Sequence, residues 1–339
     1  MNDTGRIVLV EYLRGLAALG VAWFHVTNQY GDLVSVSGSL GWLGVEIFFV
    51  ISGFVIPLSV LAMGPQYGPI ESAKFLVRRL VRLEPPYLLS VILVVVLNMI
   101  ASRLPLFHGE RPTYSLEQIA FHALYLIPFS RYEWIQPVYW TLGYEFVFYL
   151  IVAFTFPILS STDRCGFVFA SGFVVMSVAL LGLSPLVMLF VMGCAVFRAH
   201  RKLERPILTV LFVFVAGAVM IETGAPQQSL VGVATALLIL AQRHIRLRGK
   251  LANRIFGFFG SISYSLYLVH VPIGGKVVNL GSRLIDGPWA HLALSLTALA
   301  ASIAAAIVFW RYIERPFIQA SRLLASRHPA AGREFQPAD

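Results

Sequence analysis

Arg14 and His25 stand eleven positions apart in the run Tyr12-Leu-Arg-Gly-Leu-Ala-Ala-Leu-Gly-Val-Ala-Trp-Phe-His25, which is otherwise apolar. On a helix that spacing comes to about 20° beyond three full turns, so the two side chains share a face, about 16 Å apart along the axis. Ala18, Val21 and Ala22 lie between them, small enough to leave a slot or to admit a neighbouring helix closely. Three more ionisable groups are embedded in apolar sequence. These are Glu46 in Gly41-Trp-Leu-Gly-Val-Glu-Ile-Phe-Phe, Glu145 in Tyr139-Trp-Thr-Leu-Gly-Tyr-Glu-Phe-Val-Phe-Tyr, and His270 in Ser263-Tyr-Ser-Leu-Tyr-Leu-Val-His-Val-Pro. An imidazole beside a carboxylate can take a proton from a hydroxyl. The cluster Arg78, Arg79, Arg82 suits an anionic, phosphate-bearing ligand. Metal chemistry has no support: there is no His-Glu-x-x-His, and Cys165 and Cys194 lie in apolar runs without a partner at ligand spacing. Walker and Rossmann phosphate loops are absent as well.

The elements that must hold these groups are membrane helices. Of 339 residues, 13% are charged and 58% hydrophobic, and mean hydropathy is +0.76, which excludes a water-soluble enzyme. The net charge of +9 sits in short clusters between apolar runs, as in a polytopic membrane protein, and so does not point to nucleic acid. Ten segments are expected to cross: 7–30, 40–63, 85–102, 137–159, 165–183, 185–199, 206–222, 229–242, 255–280 and 289–313. The sixth and eighth are short and need help from flanking residues or a thinned bilayer. A further stretch, 116–129, carries Glu117 and His122 and reads as a re-entrant or interfacial piece. Among the 26 basic residues, 20 fall in loops on one side, 4 on the other and 2 (Arg14, Lys276) within spans. Lys and Arg mark cytoplasmic loops, so both termini are expected in the cytoplasm. The fold class is therefore all-α, a polytopic protein of about ten transmembrane helices. One membrane domain covers 1–318, and 319–339 form a mobile cytoplasmic tail. Glu11 and Arg14 interrupt the first run and no small-x-small site follows it, so it is read as a retained helix rather than a signal peptide.

This orientation gives the polar groups a depth. His25, Glu46, Glu145 and His270 come from four helices into the outer half of the membrane, while Arg14 and the arginine cluster lie towards the cytoplasm. Ionisable groups facing lipid would be costly, so the four are expected to share one interior cavity. That cavity should connect past Ala18 and Ala22 to a mouth lined by Arg14 and the arginines.

The residues resemble the acyltransferase-3 family of membrane O-acyltransferases that acetylate bacterial polysaccharides, Nod factors and macrolides. The resemblance runs from about Leu9 to Phe317. It rests on the Arg14/His25 helix, Gly44-Val-Glu-Ile-Phe-Phe-Val-Ile-Ser-Gly53, Arg78-Arg-Leu-Val-Arg-Leu-Glu-Pro85, Trp140-Thr-Leu-Gly-Tyr-Glu145, Ser263 to His270 and the terminal Glu314-Arg-Pro. It departs at Glu46, where the family often has Asp, and at Val269 and Val271, where Trp is common. The resemblance implies an enzyme of the bacterial cytoplasmic membrane that takes an acyl group, expected to be acetyl from acetyl-CoA, from the cytoplasmic side. The acceptor would be a hydroxyl of a glycan or lipid-linked saccharide at the outer face. His25 would be the catalytic residue, assisted by Glu145 or Glu46, and Arg14, Arg78, Arg79 and Arg82 would contact acyl-CoA. Tyr144, Ser263, Tyr264 and His270 are substrate-binding candidates, and no metal is implied. No soluble esterase-like domain is expected after the last helix. Two other classes stay open: a glycan transporter or flippase, against which the lack of matching halves speaks, and a polyprenyl-sugar glycosyltransferase using Asp32.

Overall fold

The computed structural model describes residues 7–64, 67–103, 111–163, 167–168, 171–172, 174, 176, 184–245 and 250–326. Among the described residues all regular structure is helical, as expected. The helices are α1 (Val8–Thr27), α2 (Leu33–Gly38), α3 (Gly44–Leu61), α4 (Pro69–Ala101), α5 (Leu116–Ala123), α6 (Trp140–Ser160), α7 (Val187–His200), α8 (Pro206–Glu222), α9 (Pro226–Leu240), α10 (Lys250–Gly281), α11 (Pro288–Phe309) and α12 (Arg315–Ser326), with a π-helical turn, Trp310–Glu314, between the last two.

Among the described residues six stretches are long and apolar enough to cross a membrane: Val8–Thr27, Leu33–Leu61, Pro69–Ala101, Pro137–Ser160, Ala252–Gly281 and Pro288–Leu324. The expected spans 185–199, 206–222 and 229–242 fold as α7, α8 and α9, of 14, 17 and 15 residues. At 1.5 Å per residue they reach about 21, 26 and 23 Å, short of a hydrocarbon core of about 30 Å. The expected span 165–183 lies largely outside the described residues. α12 carries helix past the expected domain boundary at 318, and 327–339 lie outside the described residues.

Two expected loops are helical. α4 begins at Pro69, whose fixed φ suits a first helical position, and the Glu71 carboxylate accepts the Gly68 N–H at 3.2 Å. The arginine cluster therefore sits on a helix that continues through Pro85 and Pro86, not on a loop before one. The segment after α1 folds as α2 because Asp32 caps it, accepting from Val34 N at 2.9 Å and Ser35 N at 3.2 Å. Asp32 also meets His291 Nδ1 at 2.8 Å, so these bonds hold its carboxyl below the ordinary range.

Small residues set the packing. α1 lies between α10 and α3, α10 packs on α11, and α3 packs on α7. A Cβ on Gly53 would stand 2.2 Å from the Phe190 carbonyl oxygen, and one on Gly193 would stand 2.2 Å from that of Val50. α3 and α7 thus touch backbone to backbone, the close approach that small residues allow in membranes. Gly260 does the same for α10 against the Glu11 carbonyl of α1, where a Cβ would stand 2.4 Å away. Glu314, from the π-helical turn, accepts from Ser265 N at 3.2 Å and Ser265 Oγ at 2.5 Å, pinning α10 to the end of α11.

Outside these long helices, α5 and the segment leading to α6 are held by buried His122. Its Nε2 accepts from Ile135 N at 3.0 Å, so a neutral ring carries its proton on Nδ1 and donates to the Tyr87 hydroxyl at 2.9 Å. Burial pushes the His122 pKa down to about 4.

Candidate active site

The long helices converge on two cavities. The first, of about 110 Å³, gathers Arg14 from α1, Ser52 from α3, Arg79 and Arg82 from α4, Glu145 and Tyr149 from α6, and Ser263 and Tyr264 from α10. Three guanidinium groups face it and one carboxylate. Glu145 Oε1 accepts from Tyr149 OH at 2.6 Å and Ser52 Oγ at 3.2 Å, which fixes that carboxylate in place. Arg79 donates to Ser59 Oγ and lies over the rings of Phe75 and Tyr149, 5.6 and 5.3 Å from their centroids. The Arg82 Nε is buried without a hydrogen-bond partner among the described residues. Positive charge thus exceeds negative in a largely apolar chamber, an arrangement that an anionic ligand would relieve.

The second cavity, of about 450 Å³, is lined by His25 and Phe24 from α1, Trp42 and Glu46 at the start of α3, Trp140 from α6, Gln228 from α9 and Tyr267 from α10. His25 Nδ1 lies 2.9 Å from the Val21 carbonyl oxygen and His270 Nδ1 lies 3.0 Å from that of Leu266. A carbonyl only accepts, so both Nδ1 atoms carry protons. His270 Nε2, unprotonated in the neutral ring, then accepts a second branch from His25 Nδ1–H at 3.3 Å. The result is a directed chain that leaves His25 Nε2, on the far edge of the ring, as the basic nitrogen. Glu46 is 3% exposed and its Oε2 has no partner among the described residues.

The cavities adjoin, and the residues lining both are Val45 and Tyr267. The Tyr267 hydroxyl donates to the Val138 carbonyl at 3.0 Å and meets Thr141 Oγ1 at 2.7 Å, so the ring is fixed from the first turn of α6 and the turn before it.

A family model described as "Acyltransferase domain" (Acyl_transf_3) matches residues 7–311. The chain belongs to this acyltransferase family. Similar proteins include the exopolysaccharide production protein ExoZ of Rhizobium meliloti (strain 1021), 28% identical over 334 residues that cover 91% of this chain and 98% of ExoZ. The O-acetyltransferase OatA of Staphylococcus aureus (strain NCTC 8325 / PS 47) is 24% identical over 354 residues, 91% of this chain and 56% of OatA. Against a further relative from Staphylococcus aureus (strain COL), 35% identity extends over 85 residues, and the chain spans 13% of that protein's length. No solved structure matches.

Read as an acyltransferase domain, the chain brings together most of the predicted residues, but not as one cluster. Glu145 belongs to the arginine cavity and not to that of His25, because Tyr149 and Ser52 draw its carboxylate away. His270 lines neither cavity: it is 1% exposed behind His25. The route past Ala18 and Ala22 is closed, since both are buried at 2% and 0% between α1 and its neighbours, and the cavities adjoin at Val45 and Tyr267 instead. Arg78 points away, lining a shallow groove with Pro69, Ile70 and Leu324; on a helix it lies about 100° round from Arg79. Tyr264 and Ser263 line the arginine cavity, where the Tyr264 hydroxyl also donates to the Leu83 carbonyl at 3.0 Å. Tyr144 stacks on Phe49 at 6.3 Å and meets Trp140 edge-on at 5.4 Å, lining neither cavity. Sequence reasoning missed Tyr149, Tyr267 and Ser52. The signal for Tyr149 was its place four residues after Glu145, one helical turn on.

Proposed function

We propose that this protein is a membrane O-acyltransferase that moves an acyl group, with acetyl as the expected one, from acyl-CoA on the cytoplasmic side to a glycan or lipid-linked saccharide hydroxyl at the outer face of a bacterial inner membrane. The observation that carries the reading is the placing of an arginine-rich cavity against a cavity that holds a histidine with a free basic nitrogen. Phosphates of acyl-CoA meet Arg14, Arg79 and Arg82, and the thioester end reaches past Val45 and Tyr267. His25 Nε2 takes the acceptor hydroxyl proton as its oxygen attacks the thioester carbonyl. The C–S bond then breaks, the ester forms, and the thiolate leaves to be protonated. His270 acts as a positioning residue by fixing the tautomer of His25, and Glu46 is the carboxylate able to balance the imidazolium. Supporting the reading, the family match covers nearly the whole chain and two relatives are named for exopolysaccharide production and O-acetyl transfer. The orientation rests on the 20-to-4 split of basic residues.

The test is transfer of labelled acetyl from acetyl-CoA to glycan in membrane vesicles. His25→Ala is expected to abolish transfer at normal protein level, since losing a polar side chain eases insertion. Full activity in that variant refutes the mechanism.

A further inference from the structure

The His25 cavity has features that the transfer chemistry leaves unused. Trp42, in the turn before α3, and Trp140, the first residue of α6, both line it half-buried. No described ring packs on Trp42, whereas Trp140 is braced edge-on by Phe49 and Tyr144 at 6.1 and 5.4 Å. Neither indole N–H has a hydrogen-bond partner among the described residues, and the half-buried Gln228 amide in the first turn of α9 has none either. Glu46, whose Oε2 is buried without a partner among the described residues, lines the same hollow, so four polar side chains from three separate parts of the chain surround it.

The two indole N–H groups and the Gln228 amide are open to the hollow, where polar groups of a ligand can pair with them. An alkyl chain would fill the hollow and leave all of them unpaired. Aromatic faces carry negative charge density, which attracts the weakly positive C–H groups of a pyranose ring, while the hydroxyls on the ring's rim can both donate to a carboxylate and accept from an N–H. The volume, about 450 Å³, falls within the roughly 300–1,000 Å³ of small-molecule sites. We infer that Trp42, Trp140 and Gln228 form a pyranose-binding subsite that seats the acceptor sugar beside His25 Nε2. The inference rests on the acyltransferase reading and adds to it the residues that select the acceptor.

The experiment uses the full-length protein in detergent with labelled acetyl-CoA and three kinds of acceptor: hydroxylamine, which needs no subsite; the methyl glycosides of glucose, galactose, mannose and N-acetylglucosamine; and n-octanol. His25-dependent hydroxamate formation reports the transfer machinery alone, and its absence takes down the acyltransferase reading together with this inference. With the machinery working, at least one glycoside is expected to be acetylated in preference to octanol. Trp42→Ala and Trp140→Ala should each raise the KM for that glycoside about tenfold, the scale of one well-made aromatic contact. Hydroxamate formation and the KM for acetyl-CoA should stay unchanged. Trp42→Phe, which keeps a ring, should stay within about threefold of the parent, which separates loss of the contact from loss of the fold. Gln228→Ala should raise the glycoside KM and leave hydroxamate formation alone. Unchanged glycoside KM in both tryptophan variants, octanol as the preferred acceptor, or refusal of all four glycosides while hydroxamate forms would each overturn the subsite.

Discussion

A guanidinium group facing a low-dielectric chamber needs an anion, and the three that line the smaller cavity differ in how much the protein itself supplies. Arg79 has Ser59 and two aromatic rings, whereas Arg82 Nε has no partner among the described residues. Replacing either by Ala is expected to raise the acetyl-CoA concentration for half-maximal rate by about ten- to a hundredfold, the range of one to two charge-assisted contacts. Lysine at the same position should restore only part of this because the planar fork is lost. Arg78→Ala is the internal control: the side chain lies outside the cavity, so the acetyl-CoA dependence should not move. Initial-rate kinetics on purified protein would check all three, and an unchanged acetyl-CoA dependence at 79 and 82 with a reduced amount of protein would mean that the cluster acts only as an orientation signal. Residue types were readable from the sequence, since so few charges interrupt the apolar runs. Azimuth was not. Depth placed Glu46 and Glu145 at similar levels, but the Tyr149 and Ser52 hydroxyls, on α6 and α3, decide that Glu145 faces the arginines.

Contact between helices rests on missing side chains as much as on present ones. Gly53→Leu should prevent α3 and α7 from closing, because even a Cβ at 53 would stand 2.2 Å from a carbonyl oxygen. Overpacking of this kind costs about 1–3 kcal/mol or more, and a lower melting temperature in detergent, with Ser52 and Glu46 displaced together, is the expected sign. His122 gives a pH dependence at the same scale. Its folded pKa of about 4 lies below the roughly 6.5 of an unfolded histidine. Its contribution is therefore complete above pH 6.5 and lost as pH falls towards 4, because the unfolded chain takes up the proton first. The slope approaches about 1.4 kcal/mol per pH unit at most. Thermal unfolding across that window should be steeper for the parent than for His122→Gln. Apolar runs of membrane-crossing length made the long helices legible. Their ends were not, since Pro69, Glu71 and Asp32 start helices in stretches that composition alone reads as loops.

For the molecule as a whole, orientation is the property most open to direct measurement. If both ends lie in the cytoplasm, as proposed, Ser37→Cys should react with an impermeant maleimide in intact cells, and Lys202→Cys should react only after permeabilisation; the reverse pattern would invert the proposed route. The 20-to-4 distribution of basic residues sets the expected orientation that this labelling tests, whereas the number of crossings was not legible, because α7, α8 and α9 are too short to span unaided. The thin boundary at Val45 and Tyr267 has a further consequence, one for the cell's energy supply. On the proposed route the two cavities are reached from opposite faces, and because a membrane that stores a proton gradient can ill afford water entering deeply from both, the path taken by the acyl group must not let hydronium follow. Here the plug is one aromatic ring tethered at its hydroxyl by Val138 and Thr141, beside one valine. Tyr267→Gly is therefore expected to make the protein an uncoupler, slowing growth on respiratory substrates and collapsing a pH gradient in dye-loaded vesicles. Tyr267→Phe should keep the membrane tight, since the ring remains to fill the gap.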